Sequence, residues 1–386
     1  MAKLDELIQE LCPNGVEYKT LESICMISKG VQFNKENMNE IGLYPVINGG
    51  INPSGYIEQY NTDENTITIS QGGASAGYVN YQTVKFWAGA HCYIVKPKEI
   101  VLNRYLYHFL KQKEYILREC QYGAGIPALA KSTIAKMIIP VPPLEVQCEI
   151  VRILDNFTEL TAELTAELTA RKNQYEYYRD ELLTFDDSVP RVKIENFAKC
   201  YAGATPSTSN PEYWDNGTIP WMSSGEVNKG KVYETDKMIT KLGYDNCSTK
   251  LVPPHSVVIA LAGQGKTRGT VAITQIELCT NQSLCSIITD NTVNSYYLFH
   301  YLKSQYQQLR QVSSGDGTRG GLNLKMINNY LVPVPPLEEQ ERIVSILDRL
   351  DALCNDISIG LPAEIEARQK QYEYYRDKLL TFKEVS

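Results

Sequence analysis

Two stretches of the chain carry apolar side chains every three or four residues, which is the period of an amphipathic helix. They run from about residue 145 to 185 and from about 343 to 382, and a Pro-Pro pair stands before each. The first stretch predicts one continuous helix of about 60 Å. In the second, Gly360 predicts a helix end and Pro362 the first residue of a new helix. A helix of that length needs a partner helix, and its copy is the expected partner.

Between these stretches the pattern changes to short apolar runs separated by Gly, Asn and Pro, which is typical of buried strands joined by turns. Four of these runs predict strands at residues 66–69, 92–95, 257–261 and 285–288. The two regions of this kind, before the first helical stretch and between the two stretches, are called globules. Each globule also contains one clear helical pattern, at residues 102–119 and 295–312. The predicted fold class is therefore mixed α/β.

The chain repeats itself. The segment Pro140-Val-Pro-Pro-Leu-Glu-Val-Gln147 recurs at Pro333 with an offset of 193, and Ile-Val-x-Ile-Leu-Asp follows in both copies. Gln174-Tyr-Glu-Tyr-Tyr-Arg-Asp180 recurs at Gln371 with an offset of 197, so the second copy is four residues longer. The globules between these segments resemble each other only faintly. This plan predicts two unlike globules that alternate with two equivalent helical regions, with boundaries at 1–143, 144–187, 188–336 and 337–386.

Two motifs that could indicate catalysis lack their required context. Gly73-Ala-Ser-Ala-Gly77 fits the nucleophile elbow G-x-S-x-G, but an extended segment follows where a helix is needed. Gly265-Lys-Thr267 resembles the end of a phosphate-binding loop, but Ala260 stands at the position of the required first glycine. His108 and His300 lie on apolar helical patterns and are interpreted as packed or capping residues. We therefore predict that the chain is not an enzyme.

Composition narrows the class further. The ten cysteines are scattered without any C-x-x-C pair, and there are only four histidines, so free thiols are expected and a structural zinc site is not. The acidic start of the chain has no continuous apolar stretch, and no apolar run approaches the length of a membrane span. A soluble, cytoplasmic protein is expected.

The net charge of −7 argues at first against a nucleic-acid partner. Divided by segment, however, residues 1–140 hold 13 basic and 13 acidic side chains, and residues 191–330 hold 14 and 10. The acidity lies in residues 141–190, with 4 and 11, and in residues 331–386, with 7 and 11. The globules are therefore neutral or basic and can approach a polyanion. The acidic helices present either a solvated face or a docking surface.

Loops rich in small polar and basic residues are the candidates for contact with nucleic acid. Arg and Gln side chains can read guanine and adenine, while Lys and Thr suit phosphates. The candidates in the first globule are Lys29, Asn48, Gln71, Ser75 and Lys131, and those in the second are Ser223, Ser224, Gln264, Lys266, Thr267, Arg268 and Arg319. Each residue alone could equally belong to an ordinary surface turn. Their occurrence in both globules favours a binding role.

Taken together, the repeated P-V-P-P-L-E-x-Q, the I-V-x-I-L-D, the T-A-E-L units from Thr161 to Leu168 and the twice-occurring Q-Y-E-Y-Y-R-D resemble the specificity subunit of type I restriction-modification systems. The resemblance covers the whole chain. It implies two target-recognition domains and two conserved helical regions that pair as an antiparallel coiled coil, related by a pseudo-twofold axis.

The resemblance also implies partners. Each recognition domain would read one half of a split, asymmetric site in double-stranded DNA, and the helices would set the gap. Two methyltransferase subunits using S-adenosylmethionine would dock on the helices, and motor-nuclease subunits using ATP and Mg would join them. No cofactor is expected on this chain itself. The predicted docking residues are Glu163, Glu167, Tyr175, Tyr178, Tyr372 and Tyr375.

Two other functions remain open on the sequence. A scaffold protein could carry two unlike binding globules on a helical spacer without binding DNA. An enzyme could use one of the glycine loops, with Ser75 as its nucleophile. Neither alternative explains why two different globules should be attached to nearly identical helices.

Overall fold

The computed structural model describes residues 2–123, 127–263, 267–312, 321–355 and 359–385. In the described part of the first globule, two helices and one strand precede a run of seven strands, after which three helices lead to a last strand. Its elements are α1 (Ala2–Leu11), β1 (Glu17–Thr20), α2 (Leu21–Ile24), β2 (Cys25–Lys29), β3 (Tyr44–Ile47), β4 (Tyr56–Ile57), β5 (Thr66–Ser70), β6 (Val79–Gln82), β7 (Trp87–Ala88), β8 (Cys92–Pro97), α3 (Asn103–Gln112), α4 (Glu114–Glu119), α5 (Lys131–Ala135) and β9 (Ile138–Val141).

The strands of the first globule form a four-stranded sheet, a three-stranded sheet and a separate pair. The larger sheet has the antiparallel order β2-β8-β5-β6, and every residue of β5 is buried. The smaller sheet has the order β4-β3-β7, in which β3 and β7 are parallel. α3 covers the larger sheet, and its Tyr105 and Leu106 share one hydrophobic core with Ile67 and Ile69.

A single helix of 39 residues, α6 (Leu144–Leu182), follows. The second globule and the remaining helices come after it. They are β10 (Arg191–Lys193), β11 (Ala198–Ala202), β12 (Ile219–Met222), β13 (Lys231–Val232), β14 (Lys237–Ile239), α7 (Lys241–Asp245), β15 (Val257–Ala260), β16 (Val271–Thr274), β17 (Cys279–Thr280), β18 (Leu284–Thr289), α8 (Ser295–Ser304), α9 (Tyr306–Val312), α10 (Leu324–Asn328), β19 (Leu331–Pro333), α11 (Leu337–Asn355) and α12 (Leu361–Leu379).

The second globule repeats the plan of the first. Its larger sheet has the order β11-β18-β15-β16-β13, and its smaller sheet has the order β14-β12-β17 with β12 and β17 parallel. The pair β10-β19 corresponds to β1-β9. The two globules are therefore structural repeats, although their sequences match only faintly. The four strands expected from the apolar runs are confirmed as β5, β8, β15 and β18.

The chain divides into two compact units that do not follow the sequence repeat. The first unit comprises Met1–Thr165 with Glu364–Ser386, and the second comprises Ala166–Ala363. Each unit therefore contains one globule, one part of α6 and one helix of the second repeat. The boundaries proposed from the sequence place each helical region in a segment of its own, whereas residues of α6 belong to both units.

Inside each unit, helices of the two repeats pack together. In the first unit the ring of Phe157 on α6 stacks on Tyr375 of α12, with 5.3 Å between centroids. In the second unit Lys172 of α6 lies close enough to Cys354 of α11 to lower the pKa of that thiol, which burial raises. Farther along α6, Tyr175 lies near Asp351, which is farther back on α11. These two proximities place α6 and α11 side by side in the second unit.

Two details of the predicted helices were wrong. The helices expected at 102–119 and 295–312 each divide after ten residues, because the backbone turns at Lys113 and Gln305, whose φ and ψ are near −90° and +10°. The break predicted at Gly360 in the second helical region also differs from the prediction. α11 ends at Asn355, and Gly360 directly precedes α12. The carbonyl of Gly360 accepts a hydrogen bond from the amide of Ala363. Gly360 therefore opens α12, while residues 356–358 lie outside the described residues.

Candidate nucleic-acid interface

In the first globule the loops that follow β3 and β5 both contact the turn that leads into β8. Asn48 directly follows β3, and its Oδ1 atom accepts a hydrogen bond from the amide of His91 at 3.3 Å. Gln71 directly follows β5, and its amide donates to the carbonyl of His91 at 2.9 Å. The structure thus brings together two candidates that are 23 positions apart in the sequence. The side chain of His91 is exposed beside them.

The two candidate lysines lie near the same end of the sheet. Lys29 is the last residue of β2 and is paired in register with Tyr93, and its Nζ atom lies 5.6 Å from the centre of that ring. The hydroxyl of Tyr93 donates to the carbonyl of Leu129 at 2.9 Å, two residues before Lys131. Burial raises the pKa of Tyr93, so its hydroxyl keeps the proton that it donates. Both lysines are exposed.

Ser75 occupies the tight turn between β5 and β6. Its carbonyl accepts from the amide of Tyr78 at 2.9 Å, and its side chain is half-buried. The strand β6 follows this turn, so the context of a nucleophile elbow is missing. Ser75 shares a loop with Gln71, which keeps it among the candidate contacts without giving it a catalytic setting.

A close backbone approach fixes the same sheet end in both globules. The amide of Gly30 donates to the carbonyl of Cys92, and a Cβ atom added to Gly30 would lie 2.2 Å from the carbonyl oxygen of Ala88. Gly203 occupies the equivalent position, where a Cβ atom would lie 2.0 Å from the carbonyl oxygen of Thr280. Only glycine fits at these two positions without moving the backbone.

In the second globule, Ser223 takes the place of Asn48 directly after the first strand of the smaller sheet. Its hydroxyl and its amide both donate to Oε2 of Glu226, at 2.9 and 2.7 Å. Glu226 is only 3% exposed, so this capping box serves a buried carboxylate. The hydroxyl of Ser223 is therefore engaged in a local cap, whereas the half-buried Ser224 beside it is the other candidate of this loop.

Thr267 and Arg268 lie in the turn that leads into β16. The carbonyl of Thr267 accepts from the amide of Thr270 at 2.9 Å, and both candidate side chains are half-buried. Gln264, Lys266 and Arg319 lie outside the described residues. The strand after the turn excludes the helix that a phosphate-binding loop requires.

Sequence reasoning missed several residues at these sheet ends. In the second globule the exposed Gln282 occupies the turn before β18, and its Oε1 atom accepts a hydrogen bond from Oγ1 of Thr205. Lys250 lies 4.1 Å from the ring centre of Tyr201 on β11. In the first globule the exposed His91 lies in the equivalent turn, one residue closer to the strand that follows. No local motif marks these positions, and only the equivalence of the two sheets identifies them.

The predicted docking residues fall into two groups. Glu163 and Glu167 are exposed on α6, and Glu167 pairs with Arg171 at 3.3 Å, which is a weak surface contact. Tyr178 is 37% exposed. Tyr175, in contrast, is 6% exposed and belongs to the core of the second unit. Its own unit therefore covers the ring of Tyr175, and the docking role of this residue stays a prediction.

Tyr372 and Tyr375 are likewise half-buried against the core of the first unit. The repeated Q-Y-E-Y-Y-R-D segment does present other aromatic rings. Tyr177 is 64% exposed and Tyr374 is 63% exposed, and the two are equivalent in the repeat. These tyrosines, rather than the buried ones, belong to the outer face of the helices.

Two kinds of site are missing from the described part of the chain. Within residues 2–123, 127–263, 267–312, 321–355 and 359–385, no group of three or more His, Cys, Asp or Glu side chains could hold a metal ion. Over the same ranges, no helix combines the length and the apolarity that crossing a membrane requires. All ten cysteines are free thiols.

Comparison with known proteins identifies the class. The family model of the type I restriction modification DNA specificity domain matches residues 13–171 and 188–367, which places one copy on each repeat. The chain therefore belongs to the family of type I restriction-modification specificity subunits. Because these subunits leave catalysis to their partners, membership confirms that the chain is a non-catalytic component.

Individual relatives agree with this assignment. The chain is 41% identical to the specificity subunit of the type I restriction enzyme EcoR124I/EcoR124II from Escherichia coli, over 64% of this chain and 63% of that protein. It is 32% identical to a putative type I restriction enzyme specificity subunit from Haemophilus influenzae, over 95% of this chain and 96% of that protein. The crystal structure of the S subunit of a type I restriction-modification system from M. genitalium has the same fold, with a TM-score of 0.67, 18% identity and coverage of 95% and 96%.

Proposed function

We propose that this chain selects a split, asymmetric site on double-stranded DNA, with one globule contacting each half and the helices setting the gap between the halves. The observation that carries this proposal is the pair of sheet ends described above. The two globules share a strand order, apart from the additional edge strand β13 of the second, but they present different side chains at equivalent places. Two globules with a similar fold but different side chains at the contact positions suit a DNA site whose halves differ in sequence.

The equivalent positions can be compared one by one. Asn48 after β3 corresponds to Ser223 after β12, and the turn at His91 corresponds to the turn at Gln282. Lys29 at the end of β2 corresponds to Ala202 at the end of β11, because Gly30 and Gly203 occupy matching positions. These differences change both the hydrogen-bonding groups and the charge that each globule offers to base edges.

The charge distribution supports contact with DNA through the globules alone. The globules are neutral or basic in net charge, and the net negative charge of the chain comes entirely from the helical regions. With so few positive charges the isolated chain would bind DNA weakly, since affinity for DNA depends largely on the number of phosphates neutralised. Strong binding would require partner subunits around the duplex.

The partners would be two methyltransferase subunits and motor-nuclease subunits. The methyltransferases would dock on the exposed faces of the helices, where Glu163, Glu167, Tyr178 and Tyr374 are accessible. S-adenosylmethionine, ATP and Mg would bind to those partners and not to this chain. The scaffold alternative differs in one respect, because it requires no sequence-dependent binding of DNA.

A selection experiment separates these functions. The full chain, assembled with its methyltransferase subunits, is incubated with random DNA duplexes, and the retained duplexes are sequenced. A split motif is expected, and Lys29→Ala should weaken or relax one half only, while Arg268→Ala affects the other half only. Lys96→Ala and Lys199→Ala are controls with exposed lysines: Lys96 lies three residues from Tyr93, the partner of Lys29 in the pair β2-β8, and Lys199 lies three residues before Ala202, the counterpart of Lys29 on β11. Recovery of no motif at all would support the scaffold.

A further inference from the structure

In the first turn of α6 and of α11, a buried glutamine side chain connects the helix to the globule that precedes it. Gln147 is fully buried, and its Nε2 atom donates to the carbonyls of Pro142 and Ile100, while its Oε1 atom accepts from the amide of Leu102. Gln340 repeats this set on Pro335, Thr292 and Asn294. One side chain thus joins the start of the helix to the loop before α3 or α8. The same set of hydrogen bonds occurs in both units.

Two turns later, an aspartate of the first repeat makes a second connection to its globule. Oδ1 of Asp155 lies 2.8 Å from Nε2 of His108 and 2.7 Å from Nε of Arg104, and both partners are on α3. The side chain of His108 is completely buried. A carboxylate can only accept, so Nε2 carries the proton and Nδ1 accepts from the hydroxyl of Tyr372 at 3.1 Å.

The second repeat contains the equivalent aspartate. Oδ1 of Asp348 lies 3.0 Å from Nε2 of the buried His300 on α8 and 3.1 Å from Nζ of Lys231 on β13. The histidine is equivalent in the two units, but the cation comes from a different element in each. Lys303 adds a contact with Asp351 at 3.1 Å. A carboxylate at the same helical position therefore receives a histidine and a cation from the globule in both units.

The protonation states match this geometry. Burial lowers the pKa of His108 and of His300, so both imidazoles are neutral at pH 7. Burial alone would raise the pKa of Asp155, but the hydrogen bonds from His108 and Arg104 lower it overall, so the carboxylate is ionised. A neutral donor and a charged acceptor form a hydrogen bond of fixed direction, since the ring cannot turn without losing a partner.

We propose that Asp155 and Asp348 are positioning residues, each of which fixes the orientation of one globule on its helix and thereby sharpens the selection of the DNA gap length. This inference rests on the proposed function. The first clamp is defined as Arg104, His108 and Asp155, and the second clamp as Lys231, His300 and Asp348. Neither clamp lies at the sheet ends that carry the candidate DNA contacts, so a clamp should not affect the bases that are read.

Contacts at two separated points along the helix explain how the clamp can fix the orientation of a globule. Gln147 fixes the helix start on the globule, and Val146, Ile150 and Leu154 of the same helix pack into the core of that globule. Because apolar packing is non-directional, these contacts hold the helix against the globule without fixing its angle as a hydrogen bond to a carboxylate does. Asp155 fixes a second point eight residues farther on, about 12 Å along the helix axis. Two separated points define an orientation, and the distance between two DNA half-sites depends on the orientation of both readers. Loss of the second point should therefore broaden the range of accepted gaps.

The test uses the full chain assembled with its methyltransferase subunits. Duplexes that carry the selected half-sites are prepared with the preferred gap and with gaps one base pair longer and shorter. In Asp155→Ala the preference for the correct gap is expected to fall about fivefold or more, a coupling typical of contacting residues. Both half-sites should stay unchanged. Asp348→Ala should act in the same way.

Two further variants separate positioning from folding. Asp155→Asn keeps an oxygen that can accept from His108 and is expected to retain most of the gap preference. Glu159→Ala alters an exposed carboxylate one turn away on the same helix and should behave like the wild type. Thermal unfolding of each variant is measured in parallel, so that a loss of folded protein is recognised.

The outcomes are distinct. Weaker binding at every gap in equal proportion, with a lower melting temperature, would mean that the clamp only stabilises the fold and would overturn the proposal. An unchanged gap preference in Asp155→Ala and Asp348→Ala would overturn it as well. Failure of the wild type to select any split motif would instead overturn the proposed function from which the clamp follows.

Discussion

Oδ1 of Asp155 lies 2.8 Å from Nε2 of His108, although 47 residues separate the two in the sequence. The aspartate belongs to the repeated I-V-x-I-L-D segment and the histidine to the variable globule. The second repeat has the same relationship between Asp348 and His300, whose Oδ1 and Nε2 atoms lie 3.0 Å apart. Asp348 follows Asp155 by 193 residues, and His300 follows His108 by 192. The repeated residues of the helices are therefore explained by attachment of the globules, while the differing loops carry the candidate contacts with DNA.

The buried histidines predict a dependence of stability on pH. Burial lowers the pKa of His108 and His300 below the ordinary value of about 6.5, so the unfolded chain binds protons that the folded chain does not. Their contribution is complete above that ordinary value and is lost as the pH falls below it. The nearby charged groups are Arg104, Asp155, Arg376, Lys303, Asp348 and Asp351.

The measurement is the melting temperature of the full chain at pH 7 and at pH 5. The wild type should lose more stability at pH 5 than a variant that carries His108→Gln and His300→Gln. Asp155 and Asp348 do not confound this window, because their pKa values are lowered and their protonation lies at still lower pH. An equal loss in wild type and variant would contradict the assignment of neutral, buried imidazoles.

Gln147→Ala should destabilise the first unit by about 2–3 kcal/mol, because it leaves the amide of Leu102 and two carbonyls without their partner. Gln340→Ala should have a similar effect on the second unit. Urea unfolding of the full chain measures both. Glu145→Ala, which alters an exposed residue of the same helical turn, is the control and should change the free energy of unfolding by less than about 0.5 kcal/mol.

Gly30→Ala should destabilise the first globule by about 3 kcal/mol or more, because its Cβ atom would lie 2.2 Å from the carbonyl oxygen of Ala88. Gly225→Ala is the control, since no heavy atom lies within 4 Å of the position that its Cβ atom would take. Calorimetry of both variants checks the prediction. Equal melting temperatures would mean that the close approach at the sheet end is not present in solution.

Deletion of residues 165–168 should shorten α6 by about 6 Å and rotate its continuation by only about 40°, since four residues exceed one turn slightly. If the helix sets the gap, the preferred gap should become shorter by one or two base pairs while both half-sites persist. Selection from random duplexes measures both properties. Altered half-sites with an unchanged gap would show that the helix does not act as a spacer.

Charge reversal at Glu163 and Glu167 tests whether the acidic helix docks other subunits. If it does, Glu163→Lys with Glu167→Lys should reduce assembly with the methyltransferase subunits, as measured by gel filtration with light scattering. Glu6→Lys with Glu10→Lys on α1 provides a control with the same change of charge on other exposed acids. Normal assembly of both variants would leave the acidic residues of α6 as a solvated face.

Much of this architecture could be predicted from the sequence because its signals are local. The 3.6-residue period predicted α6 from about 145 to 185, and the helix spans Leu144–Leu182. The apolar run at 66–69 predicted β5, since a strand buried along its whole length shows as a continuous apolar or β-branched run. The repeat itself predicted two equivalent halves.

The remainder depends on contacts between distant residues. Tyr175 looked like part of an exposed repeated motif, but α11 and Lys303 cover it in the second unit. Asn48, Gln71 and His91 carry no shared motif, because their proximity arises from the order of the strands that precede them. His108 was correctly interpreted as a packed residue, yet its partner Asp155 could not be named without the fold. Periodicity identifies the buried face of a helix and does not identify what covers it.

The most direct test of the central claim is the methylome of a host that expresses this chain with its methyltransferase subunits. The account predicts modified adenines in one split motif, with two unlike half-sites separated by a gap of fixed length. Replacement of the first globule should then change one half-site and leave the other half-site in place. A continuous motif, or a change in both half-sites when only one globule is replaced, would contradict the account.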